Sequence, residues 1–435
     1  MRGEGFSQGH KVLTYISLIS LAIYLLVKLS VNPISKIHFE VVFILLFFGG
    51  LFSRKWQIKN DTALRLIALG VILPIVFFLF NYVTNQELAI KYFEFDKLVK
   101  LMGFVAIGFW LGGTLRNIYI FLSVVFLGLV VALFNVDATQ AFKQIFSGER
   151  VDFDIQNAQH TAMFFGLAII AFISFYGDLL ISQYTKQAKF LITVIFVVGL
   201  AIVTIVFIGA QTRASLLAMD IVFVISIIHF LIYLFKNGST KSLSIIFLTY
   251  MLFTSTVLIN ATSNILSKRG AEAAITEGLS KGSMDNIPMT SLGIRLNTWI
   301  EASKWIKEKP LHGWGGGVRT HVIQDSNFSD KIKKHIGHFH NSYIEFTLAY
   351  GVLGLFFVVF IYYWVNRSIY LLSHQNFRFR GVWYFTLYGS IFMAIINIFE
   401  SYVFFRTGVY ATAVLLAPAY SLYLSNVYQT SVNEL

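Results

Sequence analysis

The chain has 435 residues, of which 56% are hydrophobic and 13% charged, and its formal net charge is +12. A soluble domain would carry about a quarter charged residues, so the composition excludes that class and indicates an integral membrane protein. The lack of cysteine excludes disulfide bonds and thiolate metal sites. The positive charge fits contact with anionic membrane lipids or an anionic substrate, and no nucleic-acid partner is expected.

Stretches of about 20 apolar residues predict membrane spans, and about twelve of them follow one another along the chain. They lie near 12–30, 38–53, 62–84, 98–114, 116–135, 160–182, 189–209, 213–235, 241–260, 341–365, 381–399 and 404–427. The stretches at 38–53 and 98–114 are short, and their boundaries stay open. The predicted fold class is an all-α integral membrane protein with about 12 transmembrane helices.

The distribution of Lys and Arg predicts the orientation, because cytoplasmic connections carry an excess of both. It places both termini in the cytoplasm and divides the chain into spans 1–9 (residues 1–260), a large outer loop (261–340) and spans 10–12 (341–435). Within the loop, 291–310 has apolar residues at helical spacing, which predicts an amphipathic helix on the membrane or the span bundle. The glycine-rich 313–317 predicts a turn that folds the loop back onto the membrane.

Histidines are concentrated at the end of this loop, where His312, His321, His335, His338 and His340 make up five of the ten in the chain. A metal site would need carboxylates or an HExxH frame, and the sequence has neither at close range, so no metal is expected. A neutral imidazole can instead accept a proton from a hydroxyl nucleophile near neutral pH. These residues therefore favour a general base.

Arginines mark the same face of the membrane. Arg213, Arg295 and Arg406, with Glu400, lie between spans seven and eight, nine and ten, or eleven and twelve. Those junctions share one side whatever the absolute orientation. Arginine binds phosphate oxygens through paired donors and keeps its charge when partly desolvated. The arrangement predicts a site for a lipid-linked phosphate or diphosphate beside His340.

These motifs resemble those of the bacterial O-antigen ligase family. The sequence 340-HN-341, nine residues and then 351-GVLG-354 is similar to the family's HN-x9-G-x-x-G signature. The segment 211-QTRASLL-217 resembles its R-x3-L element, and 291-SLGIRL-296 resembles the start of its large periplasmic loop. The family has Asp where this chain has Glu400, so that position departs from the pattern.

The resemblance implies a GT-C-like fold and glycosyl transfer at the periplasmic face of a Gram-negative inner membrane. The donor would be O-antigen polysaccharide on undecaprenyl diphosphate, and the acceptor a sugar hydroxyl of the lipid A–core. His340 would be the general base of an inverting, metal-independent transfer with no cofactor. The remaining residues that it assigns to substrate are Arg213, Arg295, Arg406, Glu400, Asn341, His338 and Gln211. Between the histidines, His338 would point elsewhere if the segment were already helical.

Three alternatives remain open from the sequence. An O-antigen polymerase would use the same donor with a second lipid-linked chain as acceptor. A protein O-oligosaccharyltransferase would transfer the glycan to a protein. A polytopic transporter or flippase also has about twelve spans, although it would need charges near mid-membrane. The sequence leaves the sugars, the acceptor hydroxyl and the oligomeric state unknown.

Overall fold

A computed structural model describes residues 8–29, 61–181, 185–237 and 291–433. Within these ranges the chain is built from helices and their connections, without a strand. In chain order the helices are α1 (Gln8–Val27), α2 (Thr62–Thr84), α3 (Gln86–Tyr92), α4 (Asp96–Lys100), α5 (Gly103–Leu111), α6 (Leu115–Ala132), α7 (Ala138–Phe146), α8 (Ala158–Ile181), α9 (Lys186–Gly209), α10 (Arg213–Asn237), α11 (Ser291–Glu308), α12 (Val318–Asp325), α13 (Asp330–His335), α14 (Ser342–Gln375), α15 (Arg380–Ile396) and α16 (Arg406–Asn433).

Eight helices among the described residues are long and apolar enough to cross a membrane. They are Thr62–Thr84, Leu115–Asn135, Ala158–Tyr176, Lys186–Gly209, Arg213–Ile232, Ser342–Gln375, Phe377–Ile396 and Arg406–Val427. Each corresponds to a predicted span, which confirms a multi-pass helical membrane protein. The first predicted span contains a shorter apolar helix, Tyr15–Val27. The predicted spans at 38–53 and 241–260 lie outside the described residues.

The predicted span at 98–114 is wrong as a single helix. The structure divides it into α4 and α5, and α5 has only nine residues before Gly112, whose left-handed φ of 66° ends the helix. A nine-residue helix is about 14 Å long, too short to cross a bilayer. Every residue from Phe104 to Leu111 is buried, and α5 packs against α16, where Gly108 leaves room for Tyr420. This apolar stretch is therefore an interior helix.

The predicted amphipathic helix at 291–310 is confirmed as α11, which ends just before Pro310. Its tryptophans join a second hydrophobic core outside the main bundle, where Trp299 and Trp305 pack near Trp314 and Phe339. The indole N–H of Trp299 donates to the carbonyl of Phe339 at 2.7 Å. The loop is thereby fixed to the segment that leads into α14.

Helix α14 is broken at Gly351, which has φ 64° and ψ −171°. The break divides it into residues 342–350 and residues 352–375. The loop before α14 hydrogen-bonds to the helix on both sides of the break. The N–H of Val352 donates to the Pro310 carbonyl at 2.8 Å, and the N–H of Gly315 donates to the Ala349 carbonyl at 2.8 Å. A Cβ on Gly351 would collide with the Leu311 carbonyl. Non-helical backbone at this depth is tolerated because protein surrounds it and satisfies its polar groups.

Candidate active site

The turn at 338–341 joins the loop to α14 and has an unusual backbone at His340. Its φ of 52° lies in the left-handed region, which costs a residue with a side chain about 1–2 kcal/mol. The next residue, Asn341, caps α14, as its Oδ1 accepts from the N–H groups of Tyr343 at 3.0 Å and Ile344 at 3.1 Å. The sharp change from turn to helix therefore fixes the position of His340.

His340 faces Glu400, which follows α15. The distance from His340 Nδ1 to Glu400 Oε2 is 3.0 Å, and the Glu400 side chain is only 3% exposed. Because the partner is a carboxylate, Nδ1 is assigned as the protonated nitrogen, which leaves the lone pair on Nε2. The His340 side chain is 30% exposed and accessible to a second molecule. This is the arrangement of a general base held by a carboxylate.

Glu400 is an ionised partner for this histidine. Burial by itself would raise the pKa of the Glu400 carboxyl. The hydrogen bond from His340, the positive charge that His340 and His338 carry when protonated, and the N–H of Ser401 outweigh burial and hold that pKa below its ordinary value. The Ser401 N–H donates to Glu400 Oε1 at 2.8 Å. The carboxylate therefore keeps its negative charge at neutral pH.

His338 lies beside His340, because residues 338–340 are not helical and the condition under which His338 would point elsewhere is not met. The two rings meet edge to face with centroids 3.9 Å apart. His338 Nδ1 is 3.6 Å from Glu400 Oε1 and accepts the backbone N–H of His340 at 3.3 Å. Burial first, and then the charge of His340, lower the pKa of His338 to about 4, although Glu400 opposes the shift. His338 is therefore neutral at pH 7.

Arg295, on α11, is linked to the same carboxylate through Gln159. With its amide nitrogen turned toward Glu400, Gln159 donates to Glu400 Oε2 and accepts from Arg295 Nη2 at 3.3 Å. Burial lowers the pKa of Arg295 while Glu400 opposes this, yet a guanidinium keeps its proton in proteins. The loop helix thus brings a partly buried cation close to the His340–Glu400 pair.

A second ion pair, Arg319 with Glu345, supports the turn and was not predicted from the sequence. Arg319 Nη1 is 3.2 Å from Glu345 Oε2, and the Glu345 side chain is fully buried. Glu345 Oε1 accepts the N–H of Phe339 at 2.9 Å and the hydroxyl of Ser401 at 2.5 Å. An acid in the first turn of a predicted span was the available signal, since charges at membrane depth are rarely without a role. Arg319 lies in a polar segment that gave no such signal.

The remaining predicted substrate residues lie at helix starts or just before them. Gln211 has a left-handed φ of 47° and donates to the Gly148 carbonyl at 2.9 Å. Arg213 is the first residue of α10 and is half-buried, and Arg406 is the first residue of α16 and is exposed. Their contact with substrate stays a prediction.

The other loop histidines lie in different environments. His312 packs against the rings of Phe77 and Phe80, and His321 packs against Tyr92 and Trp305. The side chain of His335 lies outside the described part of the structure. Among the described histidines of the loop, His338 and His340 are therefore the pair next to Glu400.

Glu400 and the two histidines form a group that could hold a metal ion. The sequence places no carboxylate close to the histidines, but folding brings Glu400 to both of them. The ligand atoms of His338, His340 and Glu400 all lie within 4.8 Å of one another. Two imidazoles and a carboxylate are ligands that zinc and other first-row metals accept. Equally, the 3.0 Å distance between His340 and Glu400 fits a hydrogen bond.

Among the described residues, eight long apolar helices and a polar cluster of histidine, glutamate and arginine where α14 begins define the class as a multi-pass membrane protein with a polar site at the end of a long helix. Within that class, residues 198–359 match the model of the O-antigen ligase family. The match confirms the resemblance found in the sequence. It covers Arg213, Arg295 and His340 and ends before Glu400 and Arg406. A search of curated proteins finds no match.

Proposed function

We propose that the protein is an O-antigen ligase, an inverting and metal-independent glycosyltransferase of the Gram-negative inner membrane. It moves O-antigen polysaccharide from undecaprenyl diphosphate to a sugar hydroxyl of lipid A–core at the periplasmic face. The observation that carries the proposal is the His340–Glu400 pair, 3.0 Å apart and beside the partly buried Arg295. The family match over residues 198–359 supports the same substrate class.

His340 acts as the general base of this reaction. Its Nε2 accepts the proton of the acceptor hydroxyl, whose oxygen attacks the anomeric carbon of the donor. The bond from that carbon to the diphosphate oxygen breaks, the electron pair leaves with the diphosphate, and the configuration inverts. Glu400 stabilises the imidazolium that forms, since its carboxylate accepts a charge-assisted hydrogen bond from the Nδ1–H of His340.

Arg295 stabilises the charge that develops on the leaving diphosphate, because a preformed cation in a partly desolvated site needs little rearrangement. Arg213 and Arg406 are assigned to the same donor. Each is the first residue of a helix, where the positive end of the helix dipole disfavours a cation and attracts an anion. A bound phosphate would offset that repulsion. His338 and Gln211 are assigned to substrate contact, and Asn341 holds the turn as a helix cap.

The proposal is tested with purified full-length protein, a donor on undecaprenyl diphosphate and lipid A–core. His340→Ala should lower transfer about 10²- to 10⁴-fold, the usual contribution of a general base. His374→Ala is the control, because this exposed histidine lies at the other end of α14. Transfer by His340→Ala at nearly the rate of the unmodified protein would exclude the base assignment. Loss of activity with a chelator, restored by Zn²⁺ or Mg²⁺, would exclude the metal-independent reaction.

The distinction from a polymerase is made in a deletion strain. Without a ligase, cells should accumulate long lipid-linked polymer and leave the lipid A–core bare. Without a polymerase, cores should instead carry a single repeat unit. Transfer to a protein acceptor in place of lipid A–core would indicate an oligosaccharyltransferase.

A further inference from the structure

We infer that an apolar cavity beside the active site binds the first isoprene units of a polyprenyl diphosphate, the lipid that carries the donor. The inference rests on the proposed function and adds a location for the lipid chain. The cavity has a volume of about 300 Å³, within the range of small-molecule sites. It lies between the two halves of α14, the C-terminal half of α15 and Val403.

The break in α14 lies beside this cavity. Because Gly351 has a left-handed φ of 64°, residues 342–350 and 352–375 do not form one regular helix, and residues from both parts line the cavity. Phe346 lines the cavity from the first half and Val358 from the second, and Met393 of α15 lines it as well. The glycine that the sequence motif contains therefore has a direct consequence for the shape of the cavity.

The lining suits a hydrocarbon, because several of its polar groups already have protein partners. The Tyr343 hydroxyl donates to the Ala394 carbonyl at 2.7 Å. Ser342 Oγ and Asn397 Oδ1 are 2.5 Å apart, and the Asn397 amide donates to the Met393 carbonyl at 2.7 Å. These groups do not need a polar ligand, so burial of an apolar chain would provide the binding energy.

The position of the cavity identifies which hydrocarbon it accepts. One end is formed by Ser342, whose hydroxyl also donates to the Glu400 carbonyl at 3.1 Å, so the cavity ends next to the catalytic pair. Its side is open, as Val359 is 51% and Tyr363 59% exposed on a membrane-spanning helix. A chain can enter from the bilayer. A polyprenyl diphosphate fills the cavity and the polar site together, whereas a phospholipid tail has no diphosphate to place beside Arg295.

The experiment compares Val359→Trp, which fills the cavity, with Val352→Trp. The two valines are equally exposed at 51% and lie two helical turns apart on α14, but Val352 does not line the cavity. Full-length protein in nanodiscs of plain phospholipid is titrated with undecaprenyl diphosphate and, separately, with inorganic diphosphate. Val359→Trp should weaken binding of undecaprenyl diphosphate about tenfold or more and leave inorganic diphosphate unchanged, and Val352→Trp should change neither. Ala394→Phe, on the opposite wall of the cavity, should weaken binding of undecaprenyl diphosphate in the same way. This second variant replaces Val359→Trp in the test if Val359→Trp does not fold.

Several results would overturn the assignment. If Val359→Trp and Ala394→Phe bind undecaprenyl diphosphate as tightly as the unmodified protein, the cavity is not the lipid site, while the proposed function stands. If a photo-cross-linker at position 359 labels only phospholipid when undecaprenyl diphosphate is saturating, the cavity holds ordinary lipid. If the unmodified protein does not bind undecaprenyl diphosphate, the proposed function fails as well.

Discussion

The contact between His340 and Glu400 makes the most specific prediction, which concerns Glu400→Gln. The amide keeps the shape of the side chain, and its oxygen can still accept a hydrogen bond from the Nδ1–H of His340. The substitution removes the negative charge, which matters when the imidazole takes up a second proton. The variant should therefore bind its substrates but carry out the chemical step slowly.

The size of the effect follows from the geometry. Opposite charges about 4 Å apart interact by roughly 4 kcal/mol at the effective dielectric constant near a protein surface. The Glu400 side chain is 3% exposed, but that of His340 is 30% exposed, so water screens part of this energy. A loss of about 2–4 kcal/mol corresponds to a decrease of about 30- to 1000-fold in kcat/KM.

The assay is the transfer reaction with purified protein, with kcat and KM measured separately. Most of the decrease should appear in kcat. Glu301→Gln is the matched control, because this glutamate lies on α11 and pairs with Lys304 at 2.7 Å, away from the catalytic pair. A kcat for Glu400→Gln within about threefold of the unmodified enzyme, under 1 kcal/mol, would refute the role assigned to this carboxylate.

Three further predictions concern the surroundings of the site. Glu345→Gln removes the negative charge paired with Arg319 and should destabilise the protein by about 2 kcal/mol, less than the about 3–5 kcal/mol for a broken buried pair because Arg319 is partly exposed. An unchanged thermal midpoint would contradict this. The pKa of His338 is about 4 in the folded protein and 6.5 in the unfolded chain, so its contribution to stability is fully present above pH 6.5 and is lost as the pH falls toward 4. Protonation of this residue should lower the free energy of unfolding by about 2 kcal/mol between pH 7 and pH 5. His338→Asn should reduce the pH dependence of the melting temperature accordingly. Gly351→Ala should lower the free energy of unfolding by more than about 3 kcal/mol, since a Cβ would collide with the loop backbone at a left-handed φ. Gly337→Ala is the control, because a Cβ there would have no atom within 4 Å, and its melting temperature should not change.

The long spans could be predicted from the sequence because the bilayer sets a requirement on consecutive residues. A hydrocarbon core about 30 Å thick requires about 20 consecutive apolar residues, and eight predicted spans satisfy this in the described residues. The same rule failed for 98–114. An interior helix such as α5 is equally apolar, and only its short length between Gly103 and Gly112 separates it from a span.

The pairing of His340 with Glu400 shows what the sequence could not supply. Counting spans places both residues on one face of the membrane, which is as far as topology extends. Their contact at 3.0 Å depends on how α14 and α15 pack, and on the left-handed turn at His340. Histidine rarely adopts a left-handed backbone conformation, so the local sequence does not predict one at His340.

The break at Gly351 was also not predictable from the local sequence. In the sequence it is one glycine within an apolar stretch that predicts a continuous helix, and a glycine inside a helix costs only about 1 kcal/mol. Its role depends on the loop around Leu311, about forty positions earlier in the chain, whose backbone occupies the place of a Cβ. That loop breaks α14, and the break separates the half-helix that carries Asn341 from the rest of the span. Residues from both sides of the break line the adjoining cavity. A variant that restores a continuous α14 should therefore change the shape of that cavity.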